Sequence, residues 1–304
     1  MTEPRPKVVV CGATGFLGQP LVKALSQTYK VVALSRSGKP VHGAAASGAW
    51  DGKSPSSLQP HLDGVEAFIN LIGEPVNQRW TTEARKRILD SRVDSTEAIA
   101  EVLGEQPVAV WINGSATGYY GDTGDREVDE NSRPGSDFLA EVCEVWEHTC
   151  LGPSLPSTRR VMIRTGVVLG PGGGAAAPLF KLTKWFLGGP VGGGRQYVPW
   201  ISLEDEIGLI CHCLSNQIRG PINAVAPQQA TQGDLMKELR NALHRPWAPP
   251  APAFAVKLVC SLIGIPPELA LDSFRVRPTV ALENGYKWKN PDLASAVKAA
   301  LPSH

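Results

Sequence analysis

The sequence predicts an α/β fold, a doubly wound parallel sheet with a smaller C-terminal substrate-type lobe. Three observations carry that reading. Strand-like and helix-like segments alternate through the first 170 residues, as in a parallel sheet covered on both faces. A glycine-rich turn joins the first strand to the first helix, where such sheets bind phosphate groups. Beyond residue 170 the alternation gives way to glycine- and proline-rich loops with separate helices. The division is therefore expected at residues 5–170 and 171–304, with some later segments returning to the sheet.

Each element has its own signal. Val8, Val9 and Val10 form a β-branched run, which suits a strand buried on both faces. Leu17, Leu21, Ala24 and Leu25 follow at helical spacing, and residues 29–34 read as a second strand. Strand, tight turn, helix and strand make a right-handed crossover. Strands are expected at 65–72, 108–112 and 161–169, and helices at 82–103 and 138–151. The last helix is signalled by Asn290 as N-cap, Pro291 at its first position and Asp292 in its first turn. Its apolar stripe runs Leu293, Ala296, Val297, Ala300 and Leu301.

Composition removes several function classes. Thirty basic residues face 29 acidic ones, so the basic excess of a nucleic-acid binder is missing. The 31 glycines and 26 prolines follow no G-X-Y period, which excludes collagen. Six cysteines in 304 residues are too few for a disulfide scaffold. Cys211 and Cys213 flank His212 on an expected helix over 205–214, where positions i and i+2 do not share a face; no metal site is expected. No run reaches the roughly 18 apolar residues of a membrane span, so no membrane partner is expected. The N-terminus passes directly into the first strand, leaving no room for a leader. These features point to a cytoplasmic protein acting on a small molecule.

The first turn reads Gly12-Ala13-Thr14-Gly15-Phe16-Leu17-Gly18. Glycines at this spacing let backbone approach a pyrophosphate, and the following helix offers free N–H groups and the positive end of its dipole. An NAD site usually places an acid about 20 residues further on. Ser35 and Arg36 stand there instead, a hydroxyl and a guanidinium suited to a 2′-phosphate. The expected cofactor is NADP(H). Gly52-Lys53-Ser54 imitates the end of a P-loop, but Ser47 occupies the position of that motif's first glycine.

Further strings carry a family resemblance. They are Trp50-Asp51, Asn70-Leu71-Ile72-Gly73, Arg79-Trp80, Asp90-Ser91-Arg92, the stretch from Ser115 to Gly121, Arg164 to Gly170, and Val198 to Ile201. With the glycine turn they resemble the extended short-chain dehydrogenases/reductases, and more narrowly their NADP-binding "epimerase family" subgroup, some of whose members carry a cell-division-inhibitor label. The tail from about Ala248 is similar to that subgroup's own C-terminal domain of unknown function. The resemblance implies a Rossmann sheet. It also implies that Gly12, Thr14, Gly15, Phe16, Leu17 and Gly18 form the pyrophosphate turn and that Ser35 and Arg36 hold the 2′-phosphate. Asp51 would lie near the adenine, Leu71 and Ile72 along the adenosine half, Arg92 toward the cofactor, and Val168 at the nicotinamide end.

The same resemblance exposes a gap. The superfamily's chemistry rests on a Tyr-x-x-x-Lys pair and a hydroxyl, with lysine lowering the tyrosine's pKa. Here Leu139 and Cys143 take those two positions. The candidates left for acid–base work are Ser115, Thr117, Tyr119 and Tyr120, and those for substrate contact are Arg164, Arg195, Tyr197 and Trp200. Two readings follow: an NADP(H)-dependent oxidoreductase or epimerase-like enzyme with altered acid–base groups, and a catalytically silent NADP(H)-sensing regulator or scaffold.

Overall fold

The computed structural model describes residues 5–174 and 176–301. Residues 1–4, part of the N-terminal stretch read above, lie outside them. The first crossover is β1 (Lys7–Cys11), α1 (Gly18–Leu25) and β2 (Lys30–Ser35). It is followed by β3 (Ala46–Ala49), α2 (Pro55–Leu58), β4 (Val65–Asn70), α3 (Thr82–Glu105), β5 (Val110–Ala116), α4 (Phe138–Leu151) and β6 (Arg159–Thr165). Then come β7 (Val167–Leu169), α5 (Ala177–Lys184), β8 (Tyr197–Val198), β9 (Trp200–Ser202), α6 (Leu203–Ser215) and β10 (Gly220–Ala224). The chain closes with β11 (Ala230–Thr231), α7 (Gln232–Ala242), α8 (Ala253–Ile263), α9 (Glu268–Leu271), α10 (Thr279–Glu283) and α11 (Leu293–Ala299).

Seven strands form one parallel sheet in the order β10-β6-β5-β4-β1-β2-β3. The order reverses between β1 and β4, so a crevice opens at their C-terminal ends, where open α/β sheets bind ligands. Period-two alternation divides the core. Val8, Val10, Ile69, Ile112 and Ile163 face α1 and α6, whereas Val9, Cys11, Phe68, Trp111 and Met162 face α3. Each valine of β1 is fully buried, worth about 1.5–2 kcal/mol of transfer free energy. β10 and α6, both beyond residue 170, belong to the sheet layers. A third apolar cluster, with Trp200, Leu235, Leu239, Leu293 and Val297, lies under the later helices.

The differences from the sequence expectation have local causes. The strand expected over 161–169 is two strands, because the chain turns off the sheet at Gly166, where a Cβ would meet the Pro199 carbonyl oxygen. β7 then pairs with β9. β5 starts later and runs further than expected, so Ser115 and Ala116 lie on the strand itself. On α1 the stripe includes Val22, while Ala24 is exposed. The last helix is capped by Asp292, whose carboxylate accepts from the Ser295 N–H at 2.9 Å. Asn290 does not cap it, since its N–H donates to Asp205 and its amide to Ser202. That tertiary bridge to the start of α6 outcompetes the local cap.

Candidate active site

The crevice begins as a cavity of about 360 Å³ beneath the C-terminal ends of β1, β2 and β4. The turn after β1 is tight for identifiable reasons. Gly12 has φ +75°, and a Cβ there would lie 3.0 Å from the Leu71 carbonyl; both facts require glycine. Gly15 donates its N–H to the Gly12 carbonyl at 3.0 Å. Among the described residues, the N–H groups of Phe16 and Leu17, at the start of α1, have no backbone acceptor. Such groups make the end of a helix receptive to anions.

Eight of the residues expected to hold a cofactor line this cavity: Gly12, Thr14, Gly15, Ser35, Arg36, Asp51, Leu71 and Ile72. The Ser35 hydroxyl is buried without a hydrogen-bond partner. Arg36 is exposed at the strand end beside it. Asp51 is partly committed: its carboxylate accepts from the Lys53 N–H at 3.0 Å and the Ser54 N–H at 2.9 Å. The Ser54 hydroxyl also donates to it, and these bonds, that hydroxyl first, hold its pKa below the usual range. Leu71 and Ile72 are fixed by backbone bonds to Cys11 and to the Asn70 side chain. Lys53 also faces the cavity. Sequence reasoning set it aside with the false P-loop. The signal that would have found it is the Asp51 side chain, which folds the 51–54 turn.

The other expected cofactor residues lie outside this cavity. Gly18 is buried, and a Cβ there would sit 2.2 Å from the Gly12 carbonyl oxygen. Close packing of helix on strand explains that glycine without any ligand. Phe16 turns its ring away, under Gly170, Gly173 and Gly174. Leu17 and Val168 put their side chains into or against the core, so ligand contact at either must come from backbone. Arg92 projects from α3 past the cavity wall, 3.1 Å from where a Cβ on Gly73 would be. Its guanidinium donates to the carbonyls of Ile88 and Glu74 at 2.8 and 3.1 Å and lies over the Trp146 ring. Burial lowers its pKa, and among the described residues no carboxylate is bound to it.

At the ends of β5 and β6 the polar groups form one buried network. The Arg164 guanidinium binds Glu147 through two parallel bonds of 2.8 Å. Ser115 donates to the same carboxylate at 2.6 Å. Arg164 also donates to the Tyr120 hydroxyl at 2.8 Å, which donates in turn to Asn223 at 2.7 Å. Burial opposes the charge on Arg164, but Glu147 more than restores it and raises the guanidinium's pKa. The Tyr120 phenol is pushed well up by burial. Arg164 is 2% exposed, which removes it as an open substrate contact. Its charge is already spent on Glu147.

Tyr119 differs from its neighbours. Its ring stacks on the Arg164 guanidinium at 3.5 Å while the side chain stays half-exposed. Burial raises its pKa, partly offset by Arg164. Thr117 reaches only the Thr165 carbonyl, at 3.5 Å. Across from this turn, a Cβ on Gly118 would lie 3.4 Å from the Leu139 Cβ and 3.9 Å from the Cys143 sulfur. Leu139 and Cys143 therefore face the turn that holds the hydroxyl candidates. Cys143 is buried and its thiol is pushed up to about 12, so it is neither a cation nor a thiolate.

Of the three remaining substrate candidates, Tyr197 and Trp200 border one cleft of only about 10 Å³, and Arg195 is not part of it. Trp200 is 1% exposed in the third core cluster, a position set by its packing and closed to ligand. Tyr197 is held under Arg275, 5.0 Å from its ring. Arg195 is exposed on the glycine-rich loop. Among the described residues no group of His, Cys, Asp and Glu could hold a metal. His212 meets the Asn284 carbonyl and Cys213 is core.

Comparison with known proteins agrees with this architecture. Residues 8–220 match the NAD dependent epimerase/dehydratase family, and residues 251–300 match a domain of unknown function. An Arabidopsis thaliana relative, "Epimerase family protein SDR39U1 homolog, chloroplastic", is 34% identical over 98% of this chain and 88% of its own. The crystal structure of human epimerase family protein SDR39U1 with NADPH superposes with a TM-score of 0.85 at 32% identity, covering 97% of this chain and 98% of that one. A nucleoside-diphosphate sugar epimerase from Corynebacterium glutamicum gives 0.78 at 31% identity, covering 97% of this chain and 58% of the other. Motif, fold and these matches together establish that the chain belongs to the NAD dependent epimerase/dehydratase family.

Proposed function

We propose that the chain binds NADP(H) in the β1/β2/β4 crevice and acts on a small carbonyl or hydroxyl compound as an oxidoreductase or epimerase-like enzyme. The observation that carries the cofactor reading is the group at the end of β2: the unpartnered buried Ser35 hydroxyl, Arg36 and Lys53 around one cavity. Two cations and a hydroxyl suit the two charges of a 2′-phosphate, and the end of β2 itself carries Ser35 and Arg36 in place of the acid that would prefer a bare ribose. The Gly12 cradle and the free N–H groups at the start of α1 fit a pyrophosphate. The NADPH in the human relative supports the same assignment.

Such a cofactor supplies hydride chemistry, and the chain must supply a proton and a place for the substrate. Tyr119 is the best acid candidate, because its phenol alone of the two tyrosines is not locked into the buried network. Arg164 under the ring, anchored by Glu147, fixes its orientation. Arg92, beside Cys143, brings a permanent positive charge to the neighbourhood where the superfamily uses lysine. The silent-sensor reading is favoured by one feature, the replacement of the Tyr-x-x-x-Lys pair by Leu139 and Cys143.

Fluorescence titration tests the cofactor. NADPH is expected to bind at least about tenfold more tightly than NADH, a difference of roughly 1.4 kcal/mol. Arg36→Ala and Lys53→Met should each erode it; equal affinities in the parent protein would sink the assignment. Turnover of NADPH with a carbonyl library tests the chemistry. A turnover unchanged in Tyr119→Phe would remove Tyr119 from the reaction.

A further inference from the structure

The expectation of no membrane partner rested on the lack of a spanning segment, and no described helix is long and apolar enough to cross a membrane. Lying on a membrane makes a different demand, for exposed apolar side chains ringed by cations. Ten of the fourteen large apolar side chains exposed among the described residues fall in two stretches, 182–187 and 247–263. Trp185 is 72% exposed, Trp247 73% and Phe254 76%, with Phe186, Leu258 and Leu262 also more than half exposed. On α8 only Cys260 is buried.

The two stretches adjoin. The Arg245 guanidinium stacks on the Phe186 ring at 4.7 Å and donates to the Lys184 carbonyl at 3.1 Å. Gly192 donates to the Ala251 carbonyl and Ala251 to the Pro190 carbonyl, both at 2.8 Å. This ties the loop after α5 to the approach to α8.

Charge is segregated in the same place. The whole chain is balanced, yet no Asp or Glu occurs from 171 to 203 or from 241 to 267. Those stretches hold Lys181, Lys184, Arg195, Arg245 and Lys257. Acids begin only at the border of this region: Glu268 and Asp272 line a groove with Lys257 at the edge of α8, and Glu204 and Glu238 end the acid-free stretches in the chain. A second copy docked face to face would oppose like charges in a drying contact, which is costly. An anionic bilayer satisfies both halves of the surface: aromatic rings settle at headgroup depth, and lysine and arginine meet phosphates.

We propose that this face, built from the end of α5, the 245–252 approach and α8, is a peripheral docking surface for an anionic lipid bilayer. The crevice would then work at the membrane surface.

The test is flotation of the full chain with vesicles of phosphatidylcholine alone and with phosphatidylglycerol added. Binding is expected only to the anionic vesicles, weakening as salt rises. Each of Lys181→Gln and Lys184→Gln should weaken it about fivefold, the effect of one charge near the surface. Trp247→Ser with Phe254→Ser should abolish it, with circular dichroism and NADPH affinity unchanged because both side chains are exposed. Three results would overturn the proposal: no binding to anionic vesicles, equal binding to neutral ones, or a parent dimer by light scattering that the double serine variant turns into monomer.

Discussion

At the end of β2, polar groups face the crevice with bonding capacity to spare: the Ser35 hydroxyl has no partner and Arg36 no ion pair among the described residues. At the ends of β5 and β6, residues of the same chemical types are consumed by one another. Ser115, Tyr120, Arg164, Glu147 and Asn223 all hydrogen-bond within one buried network. The first region is built to receive something, whereas the second is a platform whose stability comes from being complete. A polar residue at a strand end is thus a ligand candidate only if its bonds are free. By that criterion Tyr119, on the surface of the platform, differs in kind from Tyr120 within it.

The comparison breaks if the platform tolerates losing a member. Glu147→Gln leaves the Arg164 charge buried and uncompensated, which costs about 3–5 kcal/mol. Urea unfolding should show that loss as a lower midpoint. Replacing both partners by leucine or methionine should recover much of it, since an apolar pair leaves no orphaned charge. A single variant as stable as the parent would mean that Arg164 reaches solvent or a ligand after all.

A smaller effect comes from the platform's edge. The Glu206 carboxyl accepts from the Thr165 hydroxyl at 2.8 Å, its other oxygen is buried without a partner, and burial raises its pKa from 4.5 to about 8. The folded state therefore holds a proton between about pH 4.5 and pH 8 that the unfolded chain releases. Stability contributed at this site falls as pH rises through that window and levels off above it, by on the order of 2–4 kcal/mol. Glu206→Gln keeps an acceptor for Thr165 and removes the titration. Its advantage over the parent should be small at pH 5 and largest near pH 8; a constant difference would mean that the acid is hydrated.

The fold was legible because its signals are local. The β-branched run of β1, the glycine turn and the helical stripes all operate within about ten residues, and the sheet follows from their alternation. The lining of the crevice was legible for the same reason, since Gly12, Ser35, Arg36 and Leu71 sit at strand ends at fixed spacing. Lys53 was missed because its place depends on a turn folded by Asp51, not on a motif. The platform was hidden in the chain order: Arg164 meets Glu147 across 17 residues, but Tyr120 meets Asn223 across 103. Arg164 and Trp200 have the residue types of a binding site, and only tertiary packing reveals them as an ion-pair anchor and a core residue.

The smallest expected effect is the most discriminating, because it should take opposite signs in two measurements. A buried hydroxyl without a partner costs the free protein about 1–3 kcal/mol of desolvation. Ser35→Ala removes that cost along with some packing, so the unliganded protein should be unchanged or more stable by up to about 1 kcal/mol. Under the proposed assignment the same hydroxyl would gain a phosphate acceptor in the complex, and the alanine variant should bind NADPH several-fold more weakly while NADH affinity stays level. If Ser35→Ala destabilises the free protein and leaves both affinities alone, Ser35 belongs to the scaffold, and the division drawn between the two ends of the crevice fails at its best-defined atom.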